Sequence, residues 1–276
     1  MNKRTEQQIE KIYKAVFKKI FTRSNLKQAL QGNTIIIANN IEKLTQSDAY
    51  NRFCQEFAKK LAAAGLNKSR GIWKKYFEAA KKLHNIALPH TYREFERQML
   101  RKAITHNFKM IKSVPQSILK VYQQKDITIL IKQVAENKIG RGSFEKQLRE
   151  HGYKNAKLIA RTESAKLQTA IDRNTSTELG SKAYIWESSQ DKRTRPSHKE
   201  MNNVVVFWQT DESKKPLRDG MRGDAGEFPN CRCNPQAILD ENDLTQNTYK
   251  VYDYRTDKII TMGKNKLIEA INNGGL

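Results

Sequence analysis

Trp186-Glu187-Ser188-Ser189-Gln190-Asp191-Lys192-Arg193-Thr194-Arg195-Pro196-Ser197-His198 opens a stretch that closes on Phe228-Pro229-Asn230-Cys231-Arg232-Cys233. Between its ends lie an apolar run, Val204 to Trp208, and a long polar loop. Ala183-Tyr184-Ile185-Trp186 and the Val204 run are rich in β-branched and aromatic residues, so both read as strands. Loop signals fill 211–230: Lys215-Pro216, Asp219-Gly220, Arg222-Gly223-Asp224 and Gly226. A third short strand is expected after Cys233. Just upstream, Leu158, Ile159, Thr162, Leu167, Ala170 and Ile171 mark a helix from about Asn155 to Leu179, stopped by Gly180. A helix feeding a small antiparallel sheet that bears one long loop implies an α+β unit.

Upstream of that helix the pattern is helical throughout. Ile9, Ile12, Tyr13, Val16, Phe17 and Ile20 form one apolar stripe in 5–21. Segment 25–44 carries Leu26, Leu30, Ile37 and Ile41. Ser47 reads as the N-cap of a helix with Tyr50, Phe53, Cys54 and Phe57, expected to end near Gly65. Ile72 to Leu83 and Tyr92 to Ile111 continue the stripes. Pro115 and Asp126 each start a further short helix, and Ser143 caps one through Leu148. His151-Gly152 separates it from the next. Downstream, Tyr249 to Tyr254 and Ile259-Ile260 read as a hairpin, and 264–272 as a last helix. The expected division is a basic helical domain, 1–150, an α+β domain, 151–243, and a short C-terminal hairpin and helix appendix, 244–276.

The 276 residues suffice for one large domain or two ordinary ones, and 38% are hydrophobic, enough to build a core. No run of about 18 apolar residues suggests a membrane span. No apolar segment follows the N-terminal Met-Asn-Lys-Arg to suggest a secretory signal. Three cysteines make a poor disulfide framework and fit synthesis in a reducing cytosol. The formal net charge is +22. Residues 1–150 hold 31 basic and 12 acidic side chains, a net of +19, and residues 151–276 only +3. So lopsided a field favours a polyanion partner over lysines that merely solvate a bundle. Lys18, Lys19, Lys74, Lys75, Lys81 and Lys82 are candidate contacts to the phosphates of double-stranded DNA. The interleaved Trp73, Tyr76 and Phe77 fall at helical spacing, which reads as core rather than as a base-stacking platform.

His198, Cys231 and Cys233 are candidate metal ligands, with zinc the natural ion for imidazole and thiolates. Asp191, Asp224, Glu227 or a water would complete the set. Two half-buried thiols, or a redox pair, is the alternative. Catalysis by His198 with Asp191 and Glu163, or by Cys231, has no motif behind it: no serine elbow, phosphate loop or His-Glu-x-x-His is present. Arg193 and Arg195, with Asp191, suit an ion-pair network that holds the loop. Arg161 and Glu163 point to different helix faces, so at least one is expected to reach that charged loop. Trp186 anchors the whole. Cys54, on an apolar stripe, reads as a buried structural thiol.

At these residues the chain resembles the Mu F-like family of phage head-morphogenesis proteins, the minor capsid proteins of tailed bacteriophages. The resemblance rests on an ordered series: Ile159-Ala160-Arg161-Thr162-Glu163, Tyr184-Ile185-Trp186, Asp191 to His198, and Pro229-Asn230-Cys231-Arg232-Cys233. It covers about 130–240. A glycine common after the family's histidine is replaced here within Met201-Asn202-Asn203; Asn tolerates the same left-handed conformation. The resemblance implies a virion protein inside the head, made in the host cytoplasm, with portal, scaffold or capsid proteins as partners. It does not imply an enzyme. The rival reading is a metal-dependent nuclease or toxin-like hydrolase acting on DNA.

Overall fold

A computed structural model describes residues 3–20, 22, 24, 35–68, 70–83, 87–113, 115–116, 133, 138 and 140–276. The expected helices at Pro115 and Asp126, and the Leu26–Leu30 part of segment 25–44, lie largely outside the described residues. Helices come first: α1 (Lys3–Ile20), α2 (Ile35–Gln46), α3 (Asp48–Lys68), α4 (Arg70–Leu83), α5 (Tyr92–Lys112) and α6 (Arg141–Glu178). Then follow β1 (Ala183–Glu187), α7 (Pro196–Glu200), β2 (Val204–Phe207), β3 (Leu217–Arg218), β4 (Met221–Arg222) and β5 (Asn234–Ile238). The chain ends with β6 (Thr248–Asp253), β7 (Lys258–Gly263) and α8 (Lys264–Asn273). The class is α+β, as expected.

The chain divides into two compact units, Asn2–Ala62 with Ile104–Glu163, and Ala63–Ala103 with Ser164–Leu276. The boundaries fall inside α3, α5 and α6, so neither unit coincides with 1–150 or 151–243.

In the first unit, α1 packs against α2 and buries its stripe of Ile9, Ile12, Tyr13, Val16 and Phe17. Cys54 is fully buried, in line with a structural thiol. Ser47 caps α3: its hydroxyl accepts the Tyr50 N–H at 3.3 Å. The Tyr50 hydroxyl donates to the Ile111 carbonyl at 2.9 Å, and Asn107 reaches the Ala58 carbonyl.

Two helix ends differ from the sequence expectation. α3 does not stop near Gly65 but continues to Lys68. A Cβ at Gly65 would meet Ile171 Cδ1 at 2.5 Å, so that glycine serves close packing rather than termination. Likewise, the helices expected from Ser143 and Asn155 are one helix of 38 residues, α6, and Ser143 lies inside it. A glycine such as Gly152 costs a helix interior only about 1 kcal/mol, which burial of Ala156, Ala160, Leu167 and Ile171 outweighs. Gly180, at φ 91°, does end it: Ser181 N–H donates to the Ser176 carbonyl and Gly180 N–H to Thr177.

In the second unit, Trp73 and Phe77 are buried, and Phe77 meets Phe95 and Tyr92 at 5.3 and 5.7 Å between ring centroids. The sheet has the order β5-β1-β2-β6-β7. Pairings are antiparallel except β2 with β6, which is parallel, in register Val204 to Lys250 and Val205 to Val251. An all-antiparallel sheet was expected. The difference arises because the chain between β2 and β6 is a long crossover, not a tight turn. The 244–276 tail thus supplies two of the five strands and α8.

Strand alternation sorts the core onto two faces. Ala183, Val205, Phe207, Ile238, Tyr249 and Val251 pack with Leu267 of α8. Tyr184, Trp186, Val204, Val206 and Tyr252 face the other way, covered by Met201, Ala225, Phe228, Cys231 and Cys233. The long loop therefore acts as a packing layer. Gly226, at φ 92°, lets it lie on α6, where a Cβ would come within 2.3 Å of Thr169 Oγ1. The Thr169 hydroxyl donates to the Ala225 carbonyl at 2.7 Å.

Candidate functional site

Three pieces of chain build the site. Trp186, the last residue but one of β1, is fully buried. Pro196 starts α7 and fixes its first turn, which presents His198 inward at 2% exposure. The run into β5 then brings Cys231 and Cys233 under the imidazole. Asn203, at φ 61°, makes the left-handed turn expected of it, and its N–H donates to the Trp186 carbonyl at 2.9 Å.

His198 Nδ1 lies 3.4 Å from Cys233 Sγ and 3.4 Å from Cys231 Sγ. All three ligand atoms fall within 4.8 Å of one another. Trp186 and Phe228 wall the imidazole, edge to face, with centroids at 5.7 and 5.0 Å. The Cys233 N–H donates to Cys231 Sγ at 3.4 Å. The two thiols titrate as a pair. Cys231 is held below the ordinary thiol range, first by the hydrogen bond from Cys233 and also by His198. Cys233 is pushed up, first by that same bond and then by burial.

Charged groups brace this cluster. Arg195 donates to Asp219 at 2.9 Å and to the Pro229 carbonyl, tying α7 to the loop. Ser197 also donates to Asp219, at 2.6 Å. That hydrogen bond first, then Arg195, holds the Asp219 carboxyl below its ordinary range. Asp191 forms a two-pronged pair with Arg232, with one contact at 2.6 Å, and Arg232 holds its carboxyl low. Asp191 also accepts the Arg193 N–H at 3.0 Å, whereas the Arg193 guanidinium is mostly exposed and 3.8 Å away.

A second network lies behind Phe228. Buried Lys215 reaches Glu212 at 2.7 Å, Glu227 at 2.9 Å and Asp224 at 3.6 Å. Tyr184 donates to Asp224 at 3.0 Å, and Arg173 of α6 lies 3.5 Å from it. Burial, then Glu227, pushes the Asp224 carboxyl up to about 6.

The structure brings together His198, Cys231 and Cys233, with Trp186 and Arg195 around them. Asp191 is engaged by Arg232, and Asp224 and Glu227 by Lys215, so none of the three suggested carboxylates completes the ligand set. Arg161 instead pairs with Glu6, at 2.8 Å, within the first unit. Lys18, Lys19, Lys74, Lys75, Lys81 and Lys82 are exposed, and Lys81 donates to the His90 carbonyl. Sequence reasoning missed Asp219, Arg232 and Lys215. Arg232 was visible inside Cys-Arg-Cys, but only the loop path shows that its partner is Asp191.

Residues 126–235 match the family model described as phage Mu protein F like protein. Over these residues the chain is similar to the Mu F-like family. The match spans β1, α7, β2 and the cysteine pair, so three of the four ordered motifs of the resemblance, those at Tyr184–Trp186, Asp191–His198 and Pro229–Cys233, meet at this site, while Arg161 pairs with Glu6 elsewhere. The family is one of phage head-morphogenesis proteins. An uncharacterised protein of Haemophilus influenzae strain Rd is 31% identical over 144 residues, covering 50% of this chain and 29% of that protein. The chain thus matches under a third of that relative's length. No solved structure matches the chain. Among the described residues, no helix is long and apolar enough to cross a membrane.

Proposed function

We propose that this chain is a minor capsid, head-morphogenesis protein of a tailed bacteriophage, acting in procapsid assembly near the portal. The Mu F-like match over 126–235, which takes in the braced cluster of His198, Cys231 and Cys233, supports the reading. Residues 1–150, with net charge +19, supply the basic helical part, which meets packaged DNA through phosphates. Residues 151–243 supply the α+β part, and 244–276 complete its sheet. Deleting the coding region from an inducible prophage tests the assembly role. We expect a fall in infectious particles, with portal and capsid proteins still made. Unchanged particle yield and infectivity would argue against it.

The three-ligand cluster is the one observation that favours the rival, a metal-dependent hydrolase acting on DNA. Purified protein incubated with supercoiled plasmid and divalent metals separates the two. Intact plasmid is the expected result. Cutting that disappears in His198→Ala would support the hydrolase.

A further inference from the structure

We propose that His198, Cys231 and Cys233 hold a zinc ion, with water from the adjoining cavity as fourth ligand. Taking zinc–nitrogen and zinc–sulfur bonds of about 2.0 and 2.3 Å at tetrahedral angles gives a nitrogen–sulfur edge of about 3.5 Å. The two edges here are both 3.4 Å. One imidazole lone pair cannot serve two thiol hydrogens equally well, but a single cation can be shared by all three ligand atoms. Imidazole and thiolates are the donor set that selects zinc over magnesium or calcium.

The surroundings fit the ion. His198 Nε2 has Asp219 Oδ2 at 3.4 Å and Arg195 Nη1 at 3.3 Å. The distances barely differ, so chemistry decides. Arg195 is a donor only, and it already spends hydrogens on Asp219 and Pro229. The Asp219 carboxylate therefore takes the Nε2 proton contact, leaving the Nδ1 lone pair toward the sulfurs. This is the carboxylate–histidine–metal arrangement that fixes ring tautomer and orientation. The indole N–H of Trp186 is buried in the same core as the two sulfurs and has no hydrogen-bond partner among the described residues. The backbone N–H of Cys233 donates to Cys231 Sγ at 3.4 Å, a contact that suits a metal-bound thiolate. Charge also balances. Two thiolates neutralise the dication, while Asp219 with Arg195, and Asp191 with Arg232, cancel pairwise.

A cavity of about 50 Å³ adjoins the cluster, with Ser189, Thr194 and Asn230 among its walls. That is room for a water, with polar partners to hold it. The carboxylates suggested from sequence are engaged elsewhere, so the open position faces this cavity. Bound there, zinc would join α7 to the run entering β5 and close the loop between them.

The full chain, purified under reducing conditions and passed through gel filtration, tests the site by metal analysis and cobalt substitution. Expected are one zinc per chain, lost to background in Cys231→Ser and Cys233→Ser. Cobalt should give tetrahedral visible bands with a thiolate charge-transfer band. If the serine variants fail to fold, the wild-type protein still decides. Zinc should then protect two of the three thiols from a labelling reagent until a chelator is added. In Asp219→Ala the cobalt bands should persist, while zinc is lost to a chelator about ten- to a hundredfold more readily. Protein that retains no zinc after equilibration, gives no cobalt charge-transfer band and shows thiol labelling indifferent to zinc would overturn the proposal. So would a Cys231–Cys233 disulfide whose reduction restores no metal binding.

Discussion

Two glycines show how one missing Cβ sets the cost of a substitution. At Gly226 both terms are adverse: φ is positive, and the nearest atoms include the Cys233 carbonyl as well as Thr169 Oγ1. Gly226→Ala should cost on the order of 2–4 kcal/mol, read as a lower urea midpoint with an unchanged slope. Gly65 is helical, and its close neighbour is the flexible end of Ile171. Gly65→Ala should therefore cost clearly less, because the methyl can move and alanine favours the helix. Equal losses would mean that the left-handed turn at Gly226 is not what holds the loop. Asp224 gives a pH prediction. Burial raises its carboxyl from 3.8 to about 6, so between those values the folded state binds more proton than the unfolded chain. Its contribution to stability is greatest below 3.8 and is lost as pH rises through about 6. Asp191, Asp219, Asp253 and Asp257 are lowered and act in the opposite sense, losing stability as pH falls. The group is therefore isolated by difference: relative to Asp224→Asn, the wild type should lose stability from pH 4 to 6. A flat difference curve would contradict the buried carboxylate. His198, Cys231 and Cys233 were legible in the sequence as a candidate cluster because their side chains carry the chemistry themselves. Asp219 and Lys215 were not, since an ion pair is chosen by the path of the loop, which local patterns do not encode.

At the scale of elements, strands and stripes were readable where period and composition agreed. The β-branched runs gave β1 and β2, and Tyr249 to Ile260 gave the β6–β7 hairpin. Glycine misled twice. Gly65 and Gly152 looked like punctuation, yet both sit inside helices, because tertiary burial overrides a local cost of about 1 kcal/mol. Parallel pairing of β2 with β6 was also hidden, as strand neighbours across a long crossover leave no local signature. That pairing yields a prediction. A chain ending at Asp243 would lack β6, β7 and α8, stripping one edge of β2 and the cover over Val205 and Phe207. It should be insoluble or lose its cooperative melting transition, because about 1.5–3 kcal/mol is lost for each large apolar side chain uncovered. A soluble truncation with unchanged melting temperature would show the tail to be dispensable.

For the whole molecule, the proposed setting rests on charge and on the likeness to the Mu F-like family. Most of the +22 lies in residues 1–150, and the Mu F-like match lies mainly beyond them. Binding to DNA through phosphates should weaken steeply with salt and depend little on sequence, because bound counter-ions are released. Reversing Lys74, Lys75, Lys81 and Lys82 to Glu should flatten the salt dependence, by a slope of about one for each phosphate no longer neutralised. Salt-independent or site-specific binding would count against that role. The assembly role itself is tested most directly by mass spectrometry of purified procapsids and mature particles from an induced lysogen. The expected result is this chain in procapsids alongside portal protein, at low copy relative to the major capsid protein. Its absence from both particles, with portal protein detected in them, would contradict the account.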